Sequence, residues 1–260
     1  NGPAYEFSEV SDYRYIDGLL PLKVMRDIEK LKKANKPFFL TAGFISNHLP
    51  FNAPKKYWDL YERDLIEQPE NFNYIPEGAP NMSISNWSEM RAYSNIPKKG
   101  QVSDSVAIDL IHGYYATVSY VDALIGKILD ELKEQKLDHN TIVILVSDHG
   151  YNLQEHTQWA KFTSYNTSTQ VPLVIYNPFS KAKGTTNALT SLVDIYPTIA
   201  ELCGLGVPKN QLNGTSLAPV LNNPNLEGKS HVFIKKTNAF TIKTRDFSYT
   251  EFIKPEDNTI

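Results

Sequence analysis

An aspartate and a histidine stand side by side in the segment SDHG (147–150), directly after the apolar, β-branched run 141–146. A carboxylate and an imidazole at the end of a strand can both reach one cation, and the glycine permits a sharp exit of the chain. The same residues also suit an ordinary turn, in which Asp148 accepts backbone N–H groups and His149 caps the strand. A metal-binding pair and a structural turn are both open at this point.

Two further side chains are candidates because of their chemical type. His48 stands in NHLPF (47–51) and Lys161 ends QWAK (158–161). A histidine can donate a hydrogen bond or move a proton near neutral pH, and a lysine offers a compact positive charge. Taken singly, His48 also fits a loop residue that faces solvent, and Lys161 also fits an ordinary surface lysine. A chemical role for either one requires a partner elsewhere in the chain.

The remaining reactive residues favour structural roles. His156 lies seven residues after His149 and could join a metal cluster, but it also fits a polar loop. His112 falls within an apolar helical pattern and is expected to support the core. Cys203 is the single cysteine, so the chain can form neither an internal disulfide nor a cysteine-based zinc cluster. We expect Cys203 to be a buried, small hydrophobic residue.

Helices are predicted where apolar residues recur every three or four positions. This spacing predicts an amphipathic helix over 19–33 and a helix of about nine turns from Ser103 or Asp104 to the region of Gln135. A short helix is expected around residues 55–61, and another runs from Asp194 towards Cys203.

Strands are predicted by three apolar runs, Phe38–Ile45, Thr141–Ser147 and Val171–Tyr176, which lack a polar face. The order of strand, long helix, strand, loop, strand and helix is typical of an α/β fold with a mostly parallel sheet flanked by helices. In such sheets ligands bind outside the carboxyl ends of the strands. His48 and the pair Asp148-His149 are therefore expected to point into one crevice.

The C-terminal part has a different pattern. Alternating residues predict strands over 231–235, 240–244 and 247–252, which form a small antiparallel hairpin region. We therefore expect residues 1–225 to belong to the main α/β domain and residues 226–260 to begin a smaller antiparallel subdomain.

Composition excludes some classes of protein. The 26 lysines and arginines and 29 acidic residues give a formal net charge of −3, and no basic stripe suited to nucleic acid is present. The longest purely aliphatic run is 142–146, far short of the roughly eighteen residues that span a bilayer. Apolar residues make up 41% of the chain, which is enough for a sizeable core.

Short segments along nearly the whole chain share the pattern of one family. They are FFL (38–40), GF (43–44), HLPF (48–51), APKKYW (53–58), YYA (114–116), SYVD (119–122), SDHG (147–150), EH (155–156), WAK (159–161), QVPL (170–173), LVDIYPT (192–198), GTSL (214–217), RD (245–246) and YTE (249–251). In these segments the chain resembles the sulfatases, in particular their iduronate-2-sulfatase-like branch.

The resemblance implies an alkaline-phosphatase-like α/β fold and hydrolysis of sulfate monoesters, with a sulfated sugar as the expected substrate. The family's nucleophile is a formylglycine made from the first residue of a Cys/Ser-x-Pro/Ala-x-Arg motif. Its calcium ion is bound by two adjacent aspartates and by a pair that matches Asp148 and His149. His48 matches a histidine that lines the sulfate pocket, and Lys161 matches a lysine that contacts the sulfate, so both are expected to be catalytic and substrate-binding.

The chain also departs from the family's pattern. It contains neither an adjacent Asp-Asp pair nor the formylglycine motif, and Cys203 is followed by Gly-Leu-Gly. The family places these elements upstream, so we expect the N-terminal half of the protein to be missing from this chain. Under that interpretation these residues hold half of an active site and are inactive alone. The family also implies a location in the periplasm, outside the cell or in lysosomes.

Two alternatives stay open. A phosphomonoesterase or phosphonate hydrolase of the same superfamily would assemble a two-metal site from several aspartates and histidines. A non-catalytic domain, binding a sugar or serving as structure, would use some of the thirty aromatic residues as stacking surfaces. The sequence favours the sulfatase, because Asp148 and His149 suit one metal ion better than two.

Overall fold

The computed structural model describes residues 2–208 and 211–253, which form two compact units. The first unit contains the described residues up to Thr141 together with Tyr151–Lys161. The second contains Ile142–Gly150 and the described residues from Phe162 onward. The chain therefore passes between the units three times, after residues 141, 150 and 161. The domain boundary expected near residue 225 stays a prediction.

The helices of the first unit confirm the periodicity of the sequence. They are α1 (Leu19–Ala34), the short α2 (Lys55–Trp58) and α3 (Asp104–Glu134). Helix α3 has 31 residues and is about 46 Å long. It begins where the side chain of Ser103 accepts a hydrogen bond from the backbone N–H of Val106, which satisfies a donor that the first turn leaves open. Asn35, in the left-handed conformation, ends α1.

The core of the first unit lies against α3. Strands β1 (Tyr5–Ser8) and β2 (Phe51–Pro54) pair in parallel, and β2 packs on the buried face of the helix. One cluster gathers buried residues around Phe51 and Leu110, and a second gathers them around Trp58 and Tyr120. A small antiparallel hairpin of β4 (Asn152–Leu153) and β5 (Trp159–Ala160) adds Trp159 to the first cluster.

The second unit is built from antiparallel strands and short helices. Strand β3 (Val143–Val146) pairs with β6 (Leu173–Tyr176), and β7 (Val232–Lys236), β8 (Ala239–Lys243) and β9 (Ser248–Phe252) form a three-stranded sheet. The helices are α4 (Asn166–Thr169), α5 (Ile195–Leu202) and α6 (Ala218–Asn222). The predicted antiparallel region near the C-terminus is therefore confirmed.

Two predictions about the sheet are wrong for the described residues. Residues 38–45 form no strand, and Phe39 is 74% exposed. Among the strand pairs of the described chain, β1–β2 is parallel and the others are antiparallel, so the class is α/β but the sheets are small and mixed. An apolar run indicates a preference for burial, whereas a strand also needs a second backbone edge, which no described segment offers to residues 38–45.

The prediction for Cys203 is also wrong, because its side chain is exposed. Cys203 is the residue that follows the last turn of α5, so it leaves the buried face that Pro197 and Ala200 occupy. Gly204, with φ of +66°, ends this helix as expected. Within the described residues, no helix has both the length and the apolar character needed to cross a membrane.

Candidate active site

Two of the predicted site residues meet in the first unit, together with a third that the sequence analysis missed. Nε2 of His48 lies 2.9 Å from Nζ of Lys161, although 113 residues separate them in the sequence. Oε1 of Glu89 lies 2.8 Å from the same Nε2, and Oε2 of Glu89 lies 3.6 Å from Nζ of Lys161. An imidazole, an ammonium group and a carboxylate therefore form one polar cluster.

His48 is held by a loop that is fixed on both sides. Before it, the buried carboxylate of Asp17 accepts hydrogen bonds from the backbone N–H groups of Ile45 (2.9 Å) and Ser46 (2.7 Å). After it, Leu49 and Phe51 are buried in the core. Because anchors flank it closely on both sides, the histidine has little freedom to leave the cluster.

Lys161 directly follows the hairpin of β4 and β5. Trp159 and Ala160 are fully buried, and the side chain of Asn152 donates a hydrogen bond to the carbonyl oxygen of Ala160. Four residues of this segment other than glycine adopt positive φ: Gln154, His156, Thr157 and Ala160. Such conformations cost energy and occur frequently at functional sites.

Glu89 lies in a turn pinned to the same core. Its neighbours Trp87 and Met90 are buried, and the 3-10 turn Met90–Ala92 follows it. The proline-rich stretch 46–100 hid this residue from sequence reasoning. The sequence signal that could have found Glu89 is a charged residue between the large apolar residues Trp87 and Met90. This pattern indicates a turn that is held at both ends.

A packed aromatic group lies close to Glu89. The rings of Phe51, Tyr114 and Tyr151 are 5.5–5.6 Å apart, centre to centre. Burial raises the pKa of Tyr151 well above its ordinary value, and the carboxylate of Glu89 adds to the rise. Burial likewise raises the pKa of Tyr114. These phenols therefore stay neutral near pH 7.

Asp148 and His149 lie in the second unit, just beyond β3. The backbone N–H of His149 donates to Oδ1 of Asp148 (3.0 Å), and Nδ1 of His149 lies 2.8 Å from the carbonyl oxygen of Gly150. Because that oxygen only accepts, Nδ1 carries the hydrogen and leaves a lone pair on Nε2 of the neutral ring. A Cβ added at Gly150 would overlap the carbonyl oxygen of Thr167, so the turn requires glycine.

The donor set of this pair suits a cation in part. The side chain of Asp148 is 86% exposed, and its Oδ2 lies 3.6 Å from Nε2 of His149, so both atoms can approach one ion. A backbone carbonyl that fixes the tautomer of a histidine is typical of metal-ligating residues. Two ligands are too few for calcium, which takes six to eight oxygens. Nowhere in the described chain do three or more potential ligand side chains gather.

The structure thus brings His48 and Lys161 together and places Asp148 beside His149. The crevice expected to unite the two pairs stays a prediction. His156 contacts the side chain of Asn71 within the first unit (3.1 Å), and His112 is buried with Nε2 2.8 Å from the carbonyl oxygen of Trp58, which confirms its structural role.

The cluster of His48 and Lys161 can bind an oxyanion. Two nitrogen groups 2.9 Å apart offer hydrogen bonds and positive charge to neighbouring oxygens of one ligand. Partial burial strengthens such contacts, because the local dielectric constant is lower than in water. The fold and this cluster define an α/β protein in which an imidazole, an ammonium group and a carboxylate meet at one site.

Comparison with known proteins identifies the family. The family model described as Sulfatase matches residues 4–205, so the chain belongs to the sulfatase family. It is 31% identical to iduronate 2-sulfatase of Mus musculus over 228 residues and 30% identical to that of Homo sapiens over 231 residues. Each alignment covers 74% of this chain and 41% of the relative. The resemblance found in the sequence is thereby confirmed.

Solved structures show the same fold. BT4656 in complex with its substrate D-glucosamine-2-N,6-O-disulfate has a TM-score of 0.76 at 23% identity, covering 94% of this chain and 62% of that one. The phosphonate monoester hydrolase of Agrobacterium radiobacter has a TM-score of 0.73 at 23% identity, covering 96% and 55%. The chain therefore spans about two-fifths of the length of these curated relatives and a little over half of these structures.

Proposed function

We propose that the protein to which this chain contributes hydrolyses sulfate monoesters of sugars. The observation that carries the proposal is the meeting of His48 and Lys161, at 2.9 Å, in a member of the sulfatase family. In the proposal, the chain supplies these two groups and the pair Asp148-His149. A formylglycine nucleophile and the remaining calcium ligands come from an N-terminal half. An extracytoplasmic location is part of the same proposal.

The two nitrogen groups have different tasks in this reaction. Lys161 holds a sulfate oxygen in both the ground state and the transition state, so it serves binding and rate together. His48 donates the hydrogen on Nε2 to the leaving oxygen as the bond from sulfur to that oxygen breaks. The transferred proton prevents a poorly stabilised alkoxide from forming.

The pair in the second unit would hold the cation. A calcium ion bound there would withdraw charge from the sulfuryl oxygens, which makes the sulfur easier to attack. Asp148 would contribute a carboxylate oxygen and His149 its Nε2, and the turn at Gly150 keeps these two atoms near each other.

The relatives support a sulfated sugar as the substrate class. Mouse and human iduronate 2-sulfatases carry a sugar acid in their names, and BT4656 was solved with a disulfated glucosamine. Sulfated sugars of glycosaminoglycans or other polysaccharides are therefore the first substrates to test. A phosphonate monoester is the second candidate, because two phosphonate monoester hydrolases share the fold.

The experiment compares turnover by the full-length protein on a sulfated glucosamine, an aryl sulfate and an aryl phosphonate monoester. Release of sulfate from the sugar supports the proposal, and faster release of the phosphonate's alcohol favours the alternative. The present chain alone should turn over none of them at any calcium concentration. Calorimetry should find calcium binding weaker than micromolar, and tighter binding would contradict a half site.

His48→Ala separates binding from proton donation in the full-length protein. The loss in kcat should be roughly 10²–10⁴-fold on a sugar sulfate and much smaller on an activated aryl sulfate, whose leaving group needs no proton. An equal loss on both substrates would mean that His48 only binds sulfate. Lys161→Arg should rescue poorly, because a planar fork replaces a compact donor.

A further inference from the structure

Both ring nitrogens of His48 have polar contacts. Nδ1 lies 2.8 Å from the carbonyl oxygen of Leu49, and because that oxygen only accepts, Nδ1 carries a hydrogen. Nε2 faces two groups at once, Oε1 of Glu89 at 2.8 Å and Nζ of Lys161 at 2.9 Å. With Nδ1 fixed, the protonation of the ring depends on Nε2 alone.

The two contacts of Nε2 call for opposite states of that nitrogen. A carboxylate oxygen accepts, so the contact with Glu89 is a hydrogen bond only when Nε2 carries a hydrogen. An ammonium group donates, so the contact with Lys161 is a hydrogen bond only when Nε2 has a free lone pair. Glu89 therefore stabilises the imidazolium form of His48, whereas Lys161 stabilises the neutral form.

We propose that Glu89 is a positioning residue for this pair: its carboxylate keeps a hydrogen on Nε2 of His48 and holds the ring beside Lys161. The second carboxylate oxygen lies 3.6 Å from Nζ of Lys161, so one anion faces both nitrogen groups. Without it, an imidazolium and an ammonium 2.9 Å apart would repel each other, since Coulomb energy varies inversely with distance.

The surroundings of Glu89 leave its charge available to these two groups. Burial raises the pKa of the phenols of Tyr93 and Tyr151, and the charge of Glu89 adds to the rise. Both phenols are therefore neutral near pH 7. Trp87 and Met90, buried on either side, restrict the movement of the turn that carries Glu89.

The inference rests on the proposed function in one respect, since it explains how His48 has a proton ready for the leaving oxygen. When that proton is transferred, Nε2 regains its lone pair, and Lys161 becomes its hydrogen-bond donor. Glu89 and Lys161 thus stabilise the ring before and after the transfer, respectively.

The test observes the ring of His48 directly and requires no substrate. The full-length protein is labelled with ¹⁵N-histidine, and ring nitrogen shifts are recorded at about pH 6.5, the ordinary midpoint of imidazole. In Glu89→Gln, which keeps the side chain's shape but removes its charge, the ratio of imidazolium to neutral His48 should fall about tenfold. In Lys161→Gln the ratio should rise by a similar factor, because the competing donor charge is lost.

Glu77→Gln is the matched control, because it removes one charge from an exposed position of the same unit. It should leave the ratio within about twofold. A ratio that also stays within about twofold in Glu89→Gln would overturn the proposal. Glu89→Asp keeps the charge on a shorter side chain and should give an intermediate ratio.

If Glu89→Gln does not fold, Glu89→Asp decides, and a ratio that stays within about twofold of the unmodified protein there overturns the proposal. The two proposals can fail separately. Absence of sulfate release by the full-length protein would reject the proposed function, while the protonation of His48 would still support or reject the role of Glu89.

Discussion

The two units differ in how completely they bury their apolar residues. In the first, two clusters against α3 remove large side chains such as Phe51, Trp159 and Tyr120 from solvent. In the second, β3 and β6 pair with each other, yet Leu145 and Val174 remain 42% and 58% exposed. The first unit therefore holds a core of its own, whereas the β3–β6 pair of the second unit leaves apolar side chains exposed.

The largest expected effect is on self-association. Because the strands of the second unit expose apolar side chains, we expect the chain to associate at micromolar concentration. The double change Val174→Lys and Tyr176→Lys should shift sedimentation velocity profiles strongly towards monomer. The same change at Ile16 and Leu19, exposed apolar residues of the first unit, should have little effect. If the unmodified chain sediments as a monomer at every concentration tested, the exposed strands of the second unit do not drive association.

Removing a buried ring from the first unit should cost more stability than removing an exposed ring from the second. Phe51→Ala empties a fully buried position of the first unit and should lower the free energy of unfolding by about 3–5 kcal/mol. Phe233→Ala removes a ring that is 70% exposed in the second unit and should change it by less than about 0.5 kcal/mol. Urea unfolding measures both. Similar losses in the two variants would contradict the burial difference.

Alanine substitutions at two glycines, one in each unit, should change stability in opposite directions. Gly150→Ala in the second unit would force a Cβ against the carbonyl oxygen of Thr167, and backbone adjustment should cost about 1–3 kcal/mol. Gly126→Ala in α3 meets open space and should stabilise by about 0.5–1 kcal/mol, because alanine favours a helix. Thermal unfolding compares the two, and a stable Gly150→Ala would show that the turn can relax.

Acid should remove the part of the first unit's stability that comes from the ion pairing of Asp12. Burial opposes ionisation of Asp12, but hydrogen bonds from Lys127 and Lys56 outweigh it and hold the pKa of the carboxyl below its ordinary value. A lowered pKa stabilises the fold above the unfolded value of about 3.9, and this contribution is lost as pH falls through the folded pKa. Asp12→Asn should therefore cost stability at pH 7 and progressively less below about pH 4. A cost that is the same at both pH values would contradict this ion pairing.

The smallest effect concerns the hairpin before Lys161. Thr157 has φ of +62°, which a β-branched residue adopts at a cost, so Thr157→Gly should raise the free energy of unfolding by about 0.5–1 kcal/mol. Asn35→Gly, at φ of +48°, should gain only a few tenths, because asparagine tolerates this conformation. If Thr157→Gly destabilises instead, the contact of Gln158 with the threonine hydroxyl matters more than the strain.

Helices could be predicted well from the sequence, and sheets could not. The period of apolar residues determines α1 and α3 locally, and the structure ends both within a residue or two of the prediction. The direction of β6 relative to β3 depends on how residues 147–172 return, which no local pattern encodes. Residues 38–45 show the same limit, because their apolar pattern contains no information about a pairing partner.

The site residues were likewise predictable from the sequence only in part. His48 and Lys161 were found through the family's motifs, and the structure brings them together. Glu89 lies outside those motifs and became visible only as a distance to Nε2 of His48. Chemistry carried by a family motif can be anticipated from the sequence, whereas the position of a charge outside those motifs is known only from the structure.

The three passages of the chain between the units, after residues 141, 150 and 161, have a consequence for inheritance and engineering. A gene cut once after residue 150 leaves both units incomplete, whereas a single cut after residue 141 or 161 keeps one unit whole only together with a segment of the other. Neither unit is one continuous segment of sequence that recombination could exchange whole. A designer who wants one unit without the other has to splice two pieces of sequence.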